Sequence, residues 1–344
     1  MTRRGGYRSS FGGQPKYTFQ EGTINKPEPP KVNDQLVIAL DFGTTFSGIS
    51  FCFPNQTDPK VASVMDWPGD ESAPKIHSMI SYDPDDSSKF TWGASVNRMA
   101  GDGIVGIKLL LDPGQERPLY LPTGNIQRDI RKLPKDPVEI AADYIRAVYQ
   151  HALTEITKQV PRDYMSMCQQ QFVLSVPAVW TDVAKDATLR AAKMAGLFPA
   201  TLIKEPEAAA LYTLHSPDFT LSIGDVFVVC DAGGGTVDLI SYEVLQLEPR
   251  LKLKELVPGT GGMAGSLGLN QRFVEAVKNL VGEDQYYELR KTKGFWFAEK
   301  SFDREIKKSY RGDPNEEYFV TFPMASLEDD PASGLVSNTW TMTG

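Results

Sequence analysis

An aspartate at the end of an apolar strand, then a turn of glycine and threonine, then a second strand: this pattern occurs twice in the 344-residue chain. The first copy is Val37-Ile38-Ala39-Leu40-Asp41-Phe42-Gly43-Thr44-Thr45-Phe46. The second is Val228-Val229-Cys230-Asp231-Ala232-Gly233-Gly234-Gly235-Thr236-Val237-Asp238. Glycine tolerates positive φ and close approach, so such a turn gathers backbone N–H groups and hydroxyls on one concave surface, which suits the oxygens of a phosphate. An aspartate beside it would repel phosphate, and its natural partner is a hydrated Mg²⁺. Either copy alone reads equally well as an ordinary hairpin with glycine at its φ > 0 positions. Two copies predict facing turns from two lobes that clamp a nucleotide tail and its metal.

A chain of this length with 41% hydrophobic residues can fill two cores. The net charge of −8 and a pI near 5.1 argue against a nucleic-acid-binding surface. Basic residues cluster only at Arg3, Arg4 and Arg8. The three cysteines, Cys52, Cys168 and Cys230, are far apart and suggest neither a disulfide framework nor a zinc cluster, which fits a reducing, cytoplasmic setting. No apolar run reaches the ~20 residues of a membrane helix, and the N-terminus lacks the apolar stretch of a signal peptide. His77, His151 and His215 are isolated in sequence and are weak candidates for metal ligation.

Residues 1–34 are rich in Gly, Ser, Pro and basic side chains without apolar periodicity, and read as a disordered basic arm. Lys75 to Tyr82 predicts a strand and Trp92 to Ala100 a short helix. Asp136-Pro137-Val138-Glu139 predicts a helix start, with Asp as N-cap, Pro at the first position and Glu reaching back, and Ile140, Tyr144, Ile145, Val148, Leu153 and Ile156 follow at helical spacing. Phe172 to Pro177 predicts a buried strand, Thr181 to Gly196 a helix capped by its glycine, Ala200 to Lys204 a strand, and Glu205-Pro206-Glu207-Ala208-Ala209-Ala210 another helix start. Strands alternating with helices imply an α/β fold. Gly259 to Gly268 predicts a glycine-rich loop before a helix from about Asn270, Phe295 to Tyr310 a further helix, and residues 329–344 an irregular tail. Arg311-Gly312-Asp313 reads as a surface turn, Leu109-Leu110-Leu111 as core, and Asn55-Gln56-Thr57 as a glycosylation sequon only in a secreted protein.

The order Asp41-Phe-Gly-Thr-Thr-Phe-Ser, Val176-Pro177-Ala178, Ala195-Gly196-Leu197, Lys204-Glu205-Pro206-Glu207-Ala-Ala-Ala210 and Asp231-Ala-Gly-Gly-Gly-Thr-Val-Asp238 resembles the ATPase domain of the seventy-kilodalton heat-shock chaperones, in a divergent eukaryotic branch. Actin and the sugar kinases share the wider fold. The resemblance spans about residues 36 to 310. It implies an actin-like fold of two duplicated ribonuclease-H-like lobes, residues 35–204 and 205–328, with ATP or ADP and Mg²⁺ between them and client proteins or co-chaperones as partners. Asp41 and Asp231 then match the metal-holding aspartates. Gly43, Thr44, Thr45, Gly233, Gly234, Gly235 and Thr236 match the phosphate loops, Glu205 the acidic residue near the attacking water, and Lys108 a lysine on the terminal phosphate. Gly268 and Lys307 fall in the segments that meet the nucleoside.

Bland readings stand beside these. Lys108 reads also as a surface lysine, Glu205 as a helix N-terminal charge, and Asp303 with Lys307 as a plain i, i+4 ion pair. The glycine-rich segment has Leu269 and Asn270 where the family has a second glycine and an acidic residue. The helix carrying Asp303 and Lys307 fits the family's adenosine-gripping helix only with a one-residue uncertainty of register. The elements that complete the second lobe of the family are absent after this region, which implies an incomplete lobe and a fragment or truncated product. Rival functions are a non-hydrolysing nucleotide-sensing scaffold and a sugar or acetate kinase.

Overall fold

The computed structural model describes residues 34–70, 72–97, 103–112, 133–214, 220–248, 251–262 and 264–344. The expected arm, except Asp34, and His215 lie outside them. Strand β1 (Gln35–Phe42) buries Leu36, Ile38, Leu40 and Phe42 on one face, so Val37, Ala39 and Asp41 occupy the other. β2 (Phe46–Cys52) returns antiparallel, with Asp41 opposite Gly48. The short β3 (Ala62–Ser63) and β4 (Ile76–His77) pair with β2. A separate three-stranded sheet joins β5 (Met79–Tyr82), β6 (Phe90–Trp92) and β7 (Ile104–Val105) in the order β6-β5-β7.

Helix α1 (Pro137–Gln159) begins with the expected capping box: the Val138 N–H donates to Asp136 Oδ1 at 2.9 Å and the Asp136 N–H to Glu139 Oε2 at 3.1 Å. Its face of Ile140, Tyr144, Ile145, Val148 and Ile156 is buried in the main core. α2 (Arg162–Met167) leads into β8 (Gln169–Val176), which runs parallel to β1 with Leu40 opposite Leu174. α3 (Asp182–Ala195) is capped by the Thr181 hydroxyl and ends on Gly196 at φ 94°, a left-handed conformation that favours glycine. β9 (Ala200–Lys204) extends the sheet to β3-β2-β1-β8-β9 and passes directly into α4 (Glu205–Leu214).

A second antiparallel sheet follows, β10 (Val226–Ala232), β11 (Val237–Gln246) and β12 (Lys252–Gly262), in that order. β10 is an edge strand, and its Val226 and Val228 are 60% and 61% exposed. α5 (Ser266–Leu289) breaks helical geometry at Gly282, with φ 79°. α6 (Lys293–Ser301) continues through a π turn, Phe302–Ile306, to Ser309. These helices and the sheet β13-β15-β14 (β13 Glu317–Thr321, β14 Leu335–Val336, β15 Thr339–Thr343) enclose a second core that includes Phe273, Val277, Phe295, Val320, Phe322 and Leu335.

The mixed α/β content agrees with the sequence reading, and four local expectations need correction. The strand expected over Lys75 to Tyr82 divides at Ser78, because β4 joins β2 while β5 belongs to another sheet. Trp92 ends a strand, and only a 3₁₀ turn, Gly93–Ser95, follows it among the described residues. The glycine-rich loop is mostly strand: Gly259, Gly261 and Gly262 lie in β12, and the helix starts at Ser266, so Gly268 and Asn270 are helical. The stretch 329–344 is not irregular. It closes a hairpin through Ser337 and Asn338 at φ 50° and 58°, where a turn without glycine hid the signal, and stacks Trp340 on Phe273 at 6.4 Å between ring centroids.

Candidate nucleotide and metal site

The period-two alternation of parallel neighbours assembles the centre of the site. β1 and β8 both direct their even-numbered apolar residues into the core, leaving Asp41 and Ser175 adjacent on the opposite face. There the Ser175 hydroxyl donates to Asp41 Oδ1 at 2.9 Å, and Lys75 Nζ donates to Oδ2 at 2.6 Å. Burial opposes ionisation of Asp41, but the charge and hydrogen bond of Lys75, with the charge of Lys108 and the Ser175 hydrogen bond, together outweigh it and hold the carboxyl below its ordinary range.

The first turn is braced from outside: the Ser78 N–H donates to Thr45 O at 2.8 Å and its hydroxyl to Gly43 O at 2.7 Å. A side chain at 43 would put its Cβ 2.1 Å from Phe46 O, so the turn requires glycine. The second turn is closed by Gly233 N–H to Thr236 O at 2.9 Å. It rests on the start of α5, where the N–H groups of Gly265, Ser266 and Leu267 donate to the carbonyls of Gly235, Gly233 and Gly234. That support needs Gly265, since a Cβ there would sit 2.4 Å from Gly234 O. The two turns meet: Gly234 abuts Thr45 and Gly235 abuts Thr44.

Lys108 lines the same cavity as the two turns and comes from a 3₁₀ segment (Ile107–Leu111) that starts after Gly106 in the left-handed region. The residue is 3% exposed, and its ammonium pairs with the carboxylate of Glu205 and lies 5.5 Å from the Trp180 ring centroid. The surface-lysine reading of Lys108 is therefore overturned. Burial pushes the Glu205 carboxyl up, with Asp41 and Asp231 adding to the rise and Lys108 opposing it. Asp238, paired with Asp231 across β10 and β11, is buried; Thr236 Oγ1 donates to its Oδ2 at 3.1 Å, and its Oδ1 is an orphan among the described residues. Burial raises this carboxyl as well.

One cavity of about 1260 Å³ is lined by Asp41, Gly43, Thr44, Thr45, Lys108, Glu205, Asp231 and Gly233 to Thr236. Gly268 and Lys307 are not among its lining residues. Gly268 is spent inside α5, and Lys307 Nζ is bound to Asp303 Oδ1 at 2.5 Å and Asn270 Oδ1 at 3.0 Å. Asn270 and Asp303 border a separate cavity of about 300 Å³ beside Thr44, His77 and Ser266. Asp303 lies in the π turn, Phe302–Ile306, where the helix winds more widely than an α-helix.

The donors fit a hydrated Mg²⁺: Asp41 and Asp231 bring hard oxygen ligands to one cavity that also holds both glycine-threonine turns. Among the described residues no three His, Cys, Asp or Glu side chains form a ready-made metal cage. Sequence reasoning missed Lys75, Ser78, Ser175, Trp180 and Gly265. Their roles depend on which strands are neighbours, a property that no local pattern carries.

With that geometry in place, comparison with known proteins shows what the chain is similar to. The Hsp70 protein family model matches residues 126–248. Human Heat shock 70 kDa protein 12B is 26% identical, over 75% of this chain and 47% of its own length. Human Heat shock 70 kDa protein 12A is 28% identical, over 72% and 46%. Chaperone protein DnaK of Stenotrophomonas maltophilia (strain R551-3) is 26% identical, over 74% and 40%. Together these matches support a divergent Hsp70-like nucleotide-binding domain. The chain spans about half the length of the curated relatives it matches.

Proposed function

We propose that this chain binds ATP with Mg²⁺ in the cleft of an actin-like, duplicated two-lobed fold, residues 35–204 and 205–328, and hydrolyses it slowly to ADP as a chaperone-type ATPase. The observation that carries the reading is the convergence of both aspartates, both glycine-threonine turns, Lys108 and Glu205 on one cavity. Backbone N–H groups and threonine hydroxyls of the two turns bind phosphate oxygens. Asp41 and Asp231 would hold the metal, which would supply charge neutralisation on the phosphates. Lys108 exchanges Glu205 for the terminal phosphate, and the released Glu205 carboxylate, whose proton affinity burial has raised, orients and deprotonates water. Catalysis of this kind is placement and electrostatics.

Phosphate release from the purified chain tests the reading. Lys108→Ala is expected to slow single-turnover hydrolysis by about 10²-fold. An unchanged rate removes Lys108 from the reaction. Phosphate release independent of added sugars or carboxylic acids separates the ATPase from a kinase of the same superfamily. The direct Lys108–Glu205 pair favours one alternative, a nucleotide-sensing module that retains the pair and does not hydrolyse; it predicts ATP-dependent protection from proteolysis without phosphate release. Client proteins or co-chaperones as partners and a cytoplasmic location follow from the same reading. Among the described residues, no helix is long and apolar enough to cross a membrane.

A further inference from the structure

Asp41 is already occupied by a cation of the chain itself, Lys75, whose Nζ lies 2.6 Å from Oδ2 while Ser175 takes Oδ1. The placement is built into the fold. β4 pairs with β2 so that Ile76 faces Ser47, which sets Lys75 over Gly48, and Gly48 in turn faces Asp41 on β1. A side chain at 48 would put its Cβ 3.1 Å from Lys75 Cγ and 2.7 Å from Pro74 O, so the glycine opens the path along which the lysine stem crosses β2. Lys75 also lines the same cavity as the two turns.

We propose that Lys75 is a tethered cation that competes with the divalent metal for Asp41 and so sets the metal requirement of the site. Resting on the nucleotide-site reading above, it concerns how that site is regulated. A lysine is a compact charge on a flexible four-carbon stem, and this one is half exposed, so it can leave Asp41 when a metal arrives. Metal entry then loses the ion pair and gains a like-charge neighbour. Lys75 therefore weakens metal binding and leaves a poorly loaded site neutralised.

The test is Mn²⁺ titration of the full chain without nucleotide, read as loss of the free Mn²⁺ electron paramagnetic resonance signal, alongside the Mn²⁺ dependence of fluorescent ADP-analogue binding. Lys75→Met is expected to lower the half-saturating Mn²⁺ about fivefold in both, the scale of a half-exposed ion pair, and Lys75→Arg to stay at the wild-type value. Added salt is expected to shrink the difference. Equal or weaker Mn²⁺ binding by Lys75→Met, with wild-type binding still abolished by Asp41→Asn, overturns the role of Lys75 alone. Mn²⁺ and analogue binding indifferent to Asp41→Asn overturns the site reading and this inference together.

Discussion

Gly234 of the second turn packs on Thr45 of the first, so closely that a Cβ at 234 would lie 2.3 Å from the threonine Oγ1. The facing turns are in contact, and the distance between them is set by backbone against side chain. Gly234→Ala is expected to push them apart, weakening nucleotide-analogue binding at least tenfold and lowering stability by about 1–3 kcal/mol, the range for overpacking. Gly262→Ala, where a Cβ would meet nothing within 4 Å, is the matched control and should bind like wild type. Equal behaviour of the two variants in denaturant melts and binding titrations would show that the contact is unimportant.

Lys108 and Glu205 form a pair whose side chains are 4% and 18% exposed. Removing one partner leaves a charge with little water, so Lys108→Met is expected to destabilise the fold by about 3 kcal/mol. Adding Glu205→Gln should restore most of that loss. A double-mutant cycle in urea measures it, and strict additivity would mean that the pair is not coupled.

Activity should carry the signature of Glu205 in its acid limb. Its carboxyl titrates above the ordinary 4.5, chiefly because it is buried, so phosphate release should fall as pH drops through that raised value. The stability linkage has the opposite sense: the fold prefers protonated Glu205, and the contribution is complete below 4.5 and is lost as pH rises through the folded value. Glu205→Gln should abolish the acid limb along with most activity. A limb of the same position in the residual activity of that variant would assign it to another group.

Asp303 behaves in the reverse manner. Burial disfavours its charge, but hydrogen bonds from Lys307 and Asn270 prevail and hold it below its ordinary 3.8. The stabilisation it provides is present above 3.8 and is lost as pH falls through the lower folded value. Asp303→Asn should therefore flatten the stability profile below about pH 4. Melts recorded across that range with the same slope for variant and wild type would argue against it.

How much of this was readable in the residues follows the range of each signal. The hairpins at Asp41 and Asp231 and the cap at Asp136 are local devices, in which spacing and turn chemistry suffice, and the helix at Thr181 ends on its expected glycine for the same reason. Gly268 lies inside α5, and it is Gly265, three residues earlier, that is pressed against a neighbouring backbone, a contact no local pattern announces. Lys75 and Ser175 were invisible because β4 and β8 had first to be placed beside β2 and β1. Ser337-Asn338 concealed the last hairpin by adopting left-handed backbone without a glycine.

The parallel pairing of β1 with β8 also dictates when the cleft can exist. The bond from Ser175 to Asp41 joins groups 134 positions apart, and the second turn is farther still along the chain. During synthesis, a ribosome-bound product that has not yet released residue 236 has one of the two facing turns and not the other. Ligand cannot template folding by mass action until both have emerged, so the earliest, most aggregation-exposed stage must be survived on the first core alone.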